Sequence, residues 1–334
     1  MYTRPHAVSD AELSDALHDG WSLTVTELEY RAVGFGSHHW RAIDDVGRAW
    51  FVTVDALDKK VRSVHEKIDV AFERLRAALE TARAARDAGA TYVVAPIPTE
   101  ADEVVRRLSD RFAVALYPYF DGVSSSGEYE STAERLKVLD LIVNLHASPR
   151  SVSRNAVLDD FTLANRDELV RALDDLATPW NDGPYSERAR ALLSRHARAV
   201  ALLLARYDGL ADEARARPDR NVLTHGEPHV ENVIRTATGR MLIDWDTILV
   251  APPERDLWML EPGDRSVTVR YTEQTGTRVL PSVLDLYRIR WDLTEVAIYI
   301  AGFRKRHTDD ADARESWNNL RDILDPAEPP PSRM

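Results

Sequence analysis

The chain has 334 residues, 44% of them hydrophobic and 29% charged, with a formal net charge of -12 at pH 7 and no cysteine. Disulfides, thiolate metal sites and a cysteine nucleophile are therefore excluded, and an acidic surface repels nucleic-acid phosphates while favouring cationic small molecules. MYTRPHAVSDAELSDALHDG at the N-terminus lacks the apolar core of a signal peptide, and no stretch approaches the length of an apolar membrane span, so a cytoplasmic protein without nucleic-acid or membrane partners is expected.

In chain order, Ser9 with Glu12 at the capping-box spacing predicts a first helix ending near Gly20. WSLTVTELEY alternates, HHWRAI continues it, and AWFVTV follows the turn DDVG, which predicts a small antiparallel sheet with VGFGS as its first turn. Residues 66–88 carry apolar side chains at spacings of three and four and are closed by Gly89, the pattern of one long helix. Two short strands, TYVVAP and RFAVALYP, are expected next, and the turn-rich DGVSSSGEYES marks a boundary near residue 122. Beyond it TAERLKVLDLIVNLHA and 186–208 predict helices, a β-rich stretch spans 222–246, and helices near 281–306 and 309–323 complete the fold. The class is α+β: a small sheet-plus-helix N-lobe at 1–121, a larger, mainly helical C-lobe at 122–324, and a proline-rich disordered tail at 325–334.

Residues 222–246, VLTHGEPHVENVIRTATGRMLIDWD, crowd carboxylates, an asparagine and two histidines around a broken turn. A zinc hydrolase reading takes His225 and His229, four residues apart, as ligands on one helix face. Gly226 and Pro228 between them oppose a helix, and the HExxH order is absent. A phosphoryl-transfer reading uses more positions: Glu227 beside the acceptor hydroxyl, and Asn232 and Asp244 as oxygen ligands of Mg²⁺. NVIRTATGRMLIDW reads as two strands around TATG, which folds Asp244 back beside Asn232.

LTHGEPHVENVI followed by LIDWD resembles the catalytic segment of the aminoglycoside phosphotransferase family, whose pattern is HGDxHxxN and then IDWD. LVAPPERDLWML (249–260) and YRIRWDLTEVAIY (287–299) resemble segments of its spectinomycin phosphotransferase branch. The resemblance implies a protein-kinase-like two-lobe fold, with a nucleotide-binding N-lobe and a catalytic and substrate-binding C-lobe. It also implies transfer of the γ-phosphoryl of ATP or GTP, with Mg²⁺, to a hydroxyl of an antibiotic, giving resistance. Gly34, Gly36 and Ser37 then form the loop that approaches phosphates, Tyr117 and Tyr119 the hinge beside the purine, and Arg255 and Asp256 a brace for the catalytic loop. His229, Asp292 and Glu295 fall on the acceptor side. Other implied outcomes are a degenerate kinase-like binding protein without turnover and a metabolite kinase acting on a choline-like alcohol. The acceptor, the nucleotide and the oligomeric state are not legible.

Two positions depart from the family pattern. Glu227 stands where the family has Asp, one methylene longer, and Pro228 after it is expected to set the backbone back. Thr53 stands where the strand lysine is expected, leaving Glu80, or else Glu73, without that ion-pair partner and free to pair with one of the many arginines instead. The chain has only five lysines, at 59, 60, 67, 137 and 305; the first three follow that strand, and solvated surface positions are expected for them, against the alternative that one of them returns to the phosphates. Asp121, Glu128, Asp159, Asp160, Asp292 and Glu295 are candidate pocket acids for a cationic acceptor, against the alternative that Asp292 and Glu295 pair with Arg288 or Arg290 on their own helix.

Overall fold

The computed structural model describes residues 1–120, 122–124, 127–237 and 239–326. Asp121 and most of the expected tail lie outside the described residues. Helix α1 (Asp10–Trp21) begins at Ser9, whose side chain accepts from Glu12 N while the Glu12 carboxylate returns to the Ser9 backbone, so the capping box forms as the spacing required. Strands β1 (Val25–Arg31), β2 (Ser37–Asp44), β3 (Ala49–Ala56), β4 (Arg106–Arg107) and β5 (Phe112–Pro118) build one antiparallel sheet in the order β1-β2-β3-β5-β4.

Alternation decides the two faces of that sheet. Trp40, Val52, Val54, Val114 and Leu116 point to one side and pack with Leu13 and Leu17 of α1. Helix α2 (Ile68–Asp87) lays Leu75 and Leu79 on the other side, against Ala113 and Ala115. On this second face the register puts Ser37 beside Asp55, His39 beside Thr53, and Phe51 between Arg41 and Tyr117. A strip of polar and aromatic side chains thus faces the rest of the chain.

TYVVAP does not form a strand of this sheet. Val94 N donates to Leu242 O at 3.0 Å, Leu242 N to Tyr92 O at 2.7 Å, and Ile97 N to Leu116 O at 2.7 Å, so the segment straps the sheet to a hairpin far along the chain. That hairpin is β8 (Val233–Thr236) with β9 (Gly239–Leu242), flanked by β6 (Val123–Ser124). A second two-stranded unit pairs β7 (Val222–Thr224) with β10 (Leu249–Ala251).

Helices dominate the remainder. α3 (Thr132–His146) packs with α7 (Ser266–Thr275) around Leu139, Ile142, Trp245 and Tyr271. α5 (Ser186–Arg215) packs on α8 (Pro281–Phe303) in a core containing Leu193, Tyr207, Leu293 and Ile300. α5 runs past the expected end at 208 because Ala211 and Ala214 continue its buried face. α9 (Ala311–Leu324) closes the fold, and the short helices α4 (Arg166–Asp174), α6 (Glu254–Leu260) and α7 went unanticipated, being too brief for a periodic signal. Among the described residues no helix is long and apolar enough to cross a membrane.

Candidate active site

The loop between β7 and β8 carries Glu227 and Asn232, and the turn after β9 carries Asp244. Asp256 of α6, fully buried, fixes this loop by its backbone: Oδ1 accepts from Gly226 N at 2.5 Å and Oδ2 from His225 N at 2.9 Å. His146 Nε2 lies 3.0 Å from the same Oδ2. Arg255 donates to Thr224 Oγ1 at 2.9 Å and to the Thr247 carbonyl at 2.7 Å, tying the loop to the segment after the hairpin. Gly226 has φ +104, and a Cβ there would stand 2.3 Å from the Arg255 guanidinium, so only glycine fits.

His225 does not offer a zinc ligand. Its Nδ1 accepts from Glu227 N at 3.2 Å and its Nε2 lies 2.9 Å from the Ile243 carbonyl. Burial lowers its pKa to about 4, which keeps it neutral in these contacts. Asn232, 6% exposed, donates its amide to the Glu227 carbonyl at 2.9 Å and lies 3.2 Å from His229 Nε2. With both amide hydrogens directed inside the loop, Oδ1 is left as the acceptor for a hard cation. His229 therefore orients Asn232, a role its expected place on the acceptor side did not include.

Asp244 adopts left-handed backbone geometry, φ 65 and ψ 64, an uncommon conformation for a non-glycine residue. Its carboxylate opens to the cleft, yet it sits well above the usual carboxylate range because of the protein packed around it and the charges of Asp246 and Glu227. Burial, then Asp246, and more weakly Glu295, push Glu227 up to about 7. Lys60 counters this concentration of acid: its Nζ is 2.5 Å from Asp246 and 3.0 Å from Asp55. Such a site, rich in oxygen and short of positive charge, fits Mg²⁺. Among the described residues no three His, Cys, Asp or Glu side chains already form a metal cage, as suits an ion held mainly by phosphates and water with one or two protein oxygens.

Above these groups, Gly34 (φ +68) and Gly36 (φ +114) turn the chain between β1 and β2, and Ser37 Oγ donates to Asp55 at 2.6 Å. Phe35 at the turn approaches the Tyr299 ring of α8 at 6.3 Å. The Met1 amino group donates to the Gly34 and Ser37 carbonyls at 2.8 and 2.7 Å, pinning the turn. Thr53 Oγ1 meets His39 Nδ1 at 3.3 Å, and His39 stacks on Phe51 at 5.1 Å. Burial lowers the His39 pKa to about 3, so this histidine brings no charge to the cleft. Tyr117 lies along the same strip, its hydroxyl pushed up by burial and by Asp55, Asp246 and Asp244, and Tyr119 sits under the Arg41 guanidinium at 5.5 Å.

Several expectations need correction. Glu80 does not reach Thr53: it makes the arginine pairing expected without a strand lysine, with Arg76 at 2.9 Å, and accepts from Asn155 at 3.3 Å, because the sheet-facing stripe of α2 runs through Leu75 and Leu79. Glu73 likewise pairs with Arg76. Lys60 is not a solvated surface lysine, since its side chain is 20% exposed between two carboxylates. Asp159 is buried against Arg290 and the Tyr287 hydroxyl, Asp160 pairs with Arg62, and Glu128 lies 3.7 Å from Arg135. Nor do Asp292 and Glu295 pair with the arginines of their own helix, because Arg288 bonds Asp285 and Arg290 bonds Asp159. Among the described residues neither acid has an ion-pair partner; Glu295 accepts from the Tyr299 hydroxyl, and burial raises the pKa of both.

An antiparallel five-stranded sheet over a helical region, with a carboxylate loop and a hairpin aspartate at their junction, defines a kinase-like phosphotransferase of small-molecule hydroxyls. Residues 29–299 match the phosphotransferase enzyme family, and the chain belongs to that family. Protein StrN of Streptomyces griseus is 30% identical over 247 residues, covering 71% of this chain and 73% of that protein. Spectinomycin phosphotransferase in complex with ADP and spectinomycin superposes with a TM-score of 0.73 at 17% identity, over 96% of each chain. A macrolide 2'-phosphotransferase from Brachybacterium faecium gives a TM-score of 0.52 at 17% identity, over 96% of this chain and 100% of that one. At those identities the two structures speak for the fold.

Proposed function

We propose that this phosphotransferase uses ATP or GTP with Mg²⁺ to phosphorylate a hydroxyl of an amine-bearing small molecule, an aminocyclitol or aminoglycoside antibiotic foremost, and so confers resistance. In this reading residues 1–121 bind the nucleotide, residues 122–324 bind the acceptor, and the enzyme works in the cytoplasm, where the nucleotide is. One observation carries the choice of acceptor. Among the described residues Asp292 and Glu295 are partly buried on α8 without an ion pair, the charge of Arg288 only partly offsetting the burial of Asp292, and Glu295 is close enough to raise the pKa of Glu227. Unpaired carboxylates in a cleft are destabilising on their own and become favourable when a ligand ammonium supplies charge-assisted hydrogen bonds.

Glu227 receives the acceptor. A carboxylate raised to about 7 is basic enough to take or orient a hydroxyl proton at neutral pH. The Asp256 contacts hold the backbone just before it, Arg255 ties that loop to Thr247, and the bond between its own N–H and His225 fixes where the longer side chain begins. Asn232 and Asp244 are the residues that would hold Mg²⁺, which when bound neutralises phosphate charge. The Gly34–Ser37 turn offers backbone N–H groups to phosphates, and Phe51 and Tyr117 flank the space for the base.

Measuring ATP and GTP consumption against aminocyclitols, aminoglycosides, macrolides, nucleoside antibiotics and amino alcohols tests the reading. Turnover with an amine-bearing acceptor is expected. Turnover confined to neutral or anionic acceptors would remove the charge argument, and nucleotide binding without consumption for any of them would leave a binding protein.

A further inference from the structure

Thr53 leaves its place on the cleft-facing strip of the sheet without the cation that a nucleotide's phosphates need: neutral His39 beside it does not supply one, and Arg41 further along the strip is stacked over Tyr119. Arg255 and Lys60 both lower the pKa of Glu227, and Lys60 also acts on Asp244. Arg255 is committed to Thr224 and Thr247. Lys60 is placed differently. An ammonium has three donors, and those of Lys60 meet Asp246 at 2.5 Å and Asp55 at 3.0 Å, which leaves one to aim elsewhere.

Its backbone is equally well held. Arg74 of α2 donates to the Lys60 carbonyl at 2.6 Å, Leu57 N to the Arg111 carbonyl at 2.8 Å, and Asn165 N to the Arg62 carbonyl at 2.7 Å. The segment after β3 therefore crosses from the sheet to the helical region and carries Lys60 under the glycine turn, where Ser37 Oγ already bonds Asp55. A surface lysine needs none of these restraints.

Resting on the nucleotide-dependent reading, we propose that Lys60 replaces the missing strand lysine: Asp55 and Asp246 orient its ammonium, and its third N–H binds a phosphate oxygen of the nucleotide. The pairing carboxylates then come from β3 and from the turn after β9, not from α2, which accounts for Glu80 and Glu73 being engaged with Arg76.

Calorimetric binding of MgADP and of adenosine, measured on the wild type and on Lys60→Met, tests this without recourse to turnover. The wild type is expected to bind both. Lys60→Met is expected to weaken MgADP by about 10- to 100-fold, the value of a hydrogen bond to a charged group, and to leave adenosine within about twofold. Lys60→Arg should keep most of the MgADP affinity, and Thr53→Lys in the Lys60→Met background should restore at least about tenfold of it. Because the chain has five lysines, Nζ resonances of ¹⁵N-lysine-labelled wild-type protein give a readout that needs no variant. The Lys60 signal should move on adding MgADP and stay in place on adding adenosine. Equal MgADP affinity in wild type and Lys60→Met, parallel loss of MgADP and adenosine, or a Lys60 resonance indifferent to MgADP would each reduce Lys60 to a structural tie. A wild type that binds no MgADP would instead overturn the nucleotide-dependent reading itself.

Discussion

Replacing Glu227 by Gln removes a charge while keeping the shape, and the structure assigns a sign and a size to the result. The Glu227 carboxyl rises from 4.5 to about 7 because it is buried and faces Asp246 and Glu295. Below pH 4.5 the group is neutral in both folded and unfolded chains, and the folded state carries no penalty. Between 4.5 and about 7 the unfolded chain ionises while the folded chain keeps its proton, so stability falls as pH rises; above about 7 the loss is complete. The full shift corresponds to about 3 kcal/mol, which solvent reaching the partly open side chain reduces to about 2 kcal/mol. Urea unfolding of metal-free protein across pH 4 to 8 should therefore show Glu227→Gln gaining about 2 kcal/mol on the wild type over that interval. The same variant should lose at least about 100-fold in kcat, the range of a general base. Stability curves for the two proteins that stay parallel across the interval would refute the placement of Glu227 among like charges.

Asp244→Ala should abolish phosphoryl transfer and Mg²⁺-dependent nucleotide binding, yet leave metal-free stability equal or higher because it removes a carboxyl that burial and the Asp246 and Glu227 charges hold well above its ordinary range; a lower unfolding midpoint without metal would contradict this. Gly226→Ala puts a methyl group into the Arg255 guanidinium at φ +104 and should lower stability by about 2 kcal/mol or more, read as a fall in Tm. Asp256→Ala strips the acceptors from His225 N and Gly226 N and should cost about 3 to 5 kcal/mol, whereas a loss under about 1 kcal/mol would show the loop to be self-supporting. Glu295→Gln should raise KM for an amine-bearing acceptor about tenfold with little change in the nucleotide KM, and an unchanged acceptor KM would move the ammonium elsewhere.

Elements with strong local signals were legible in the sequence. The capping box of α1, the alternation of β1 to β3, the 3.6-residue spacing of α2 and the hairpin around TATG each specify their own structure without help from distant residues. TYVVAP was misread because a β-branched run says only that a segment is extended. Its partner, Leu242, lies well over a hundred positions away, and no local pattern encodes that pairing. Helices α4, α6 and α7 were missed because seven to ten residues give too few turns for a period to register.

The site divides along the same line. Glu227, Asn232 and Asp244 are close in sequence and joined by a hairpin, so their grouping follows from local geometry. Lys60 was assigned to the surface because lysine usually is, and what reverses that assignment is long-range: Asp246 lies 186 residues away. The signal available was the scarcity of lysine in an arginine-rich chain, with Asp55 five residues before Lys60. Asp292 and Glu295 show the converse case. Arginines one turn away on their own helix made self-pairing a reasonable expectation, but Asp159, from the segment before α4, captures Arg290, and Asp285 captures Arg288. One distant residue, Asp159, and one neighbour on the same helix, Asp285, thus take up the two arginines and leave Asp292 and Glu295 without an ion pair, which on the proposed reading sets the charge of the acceptor.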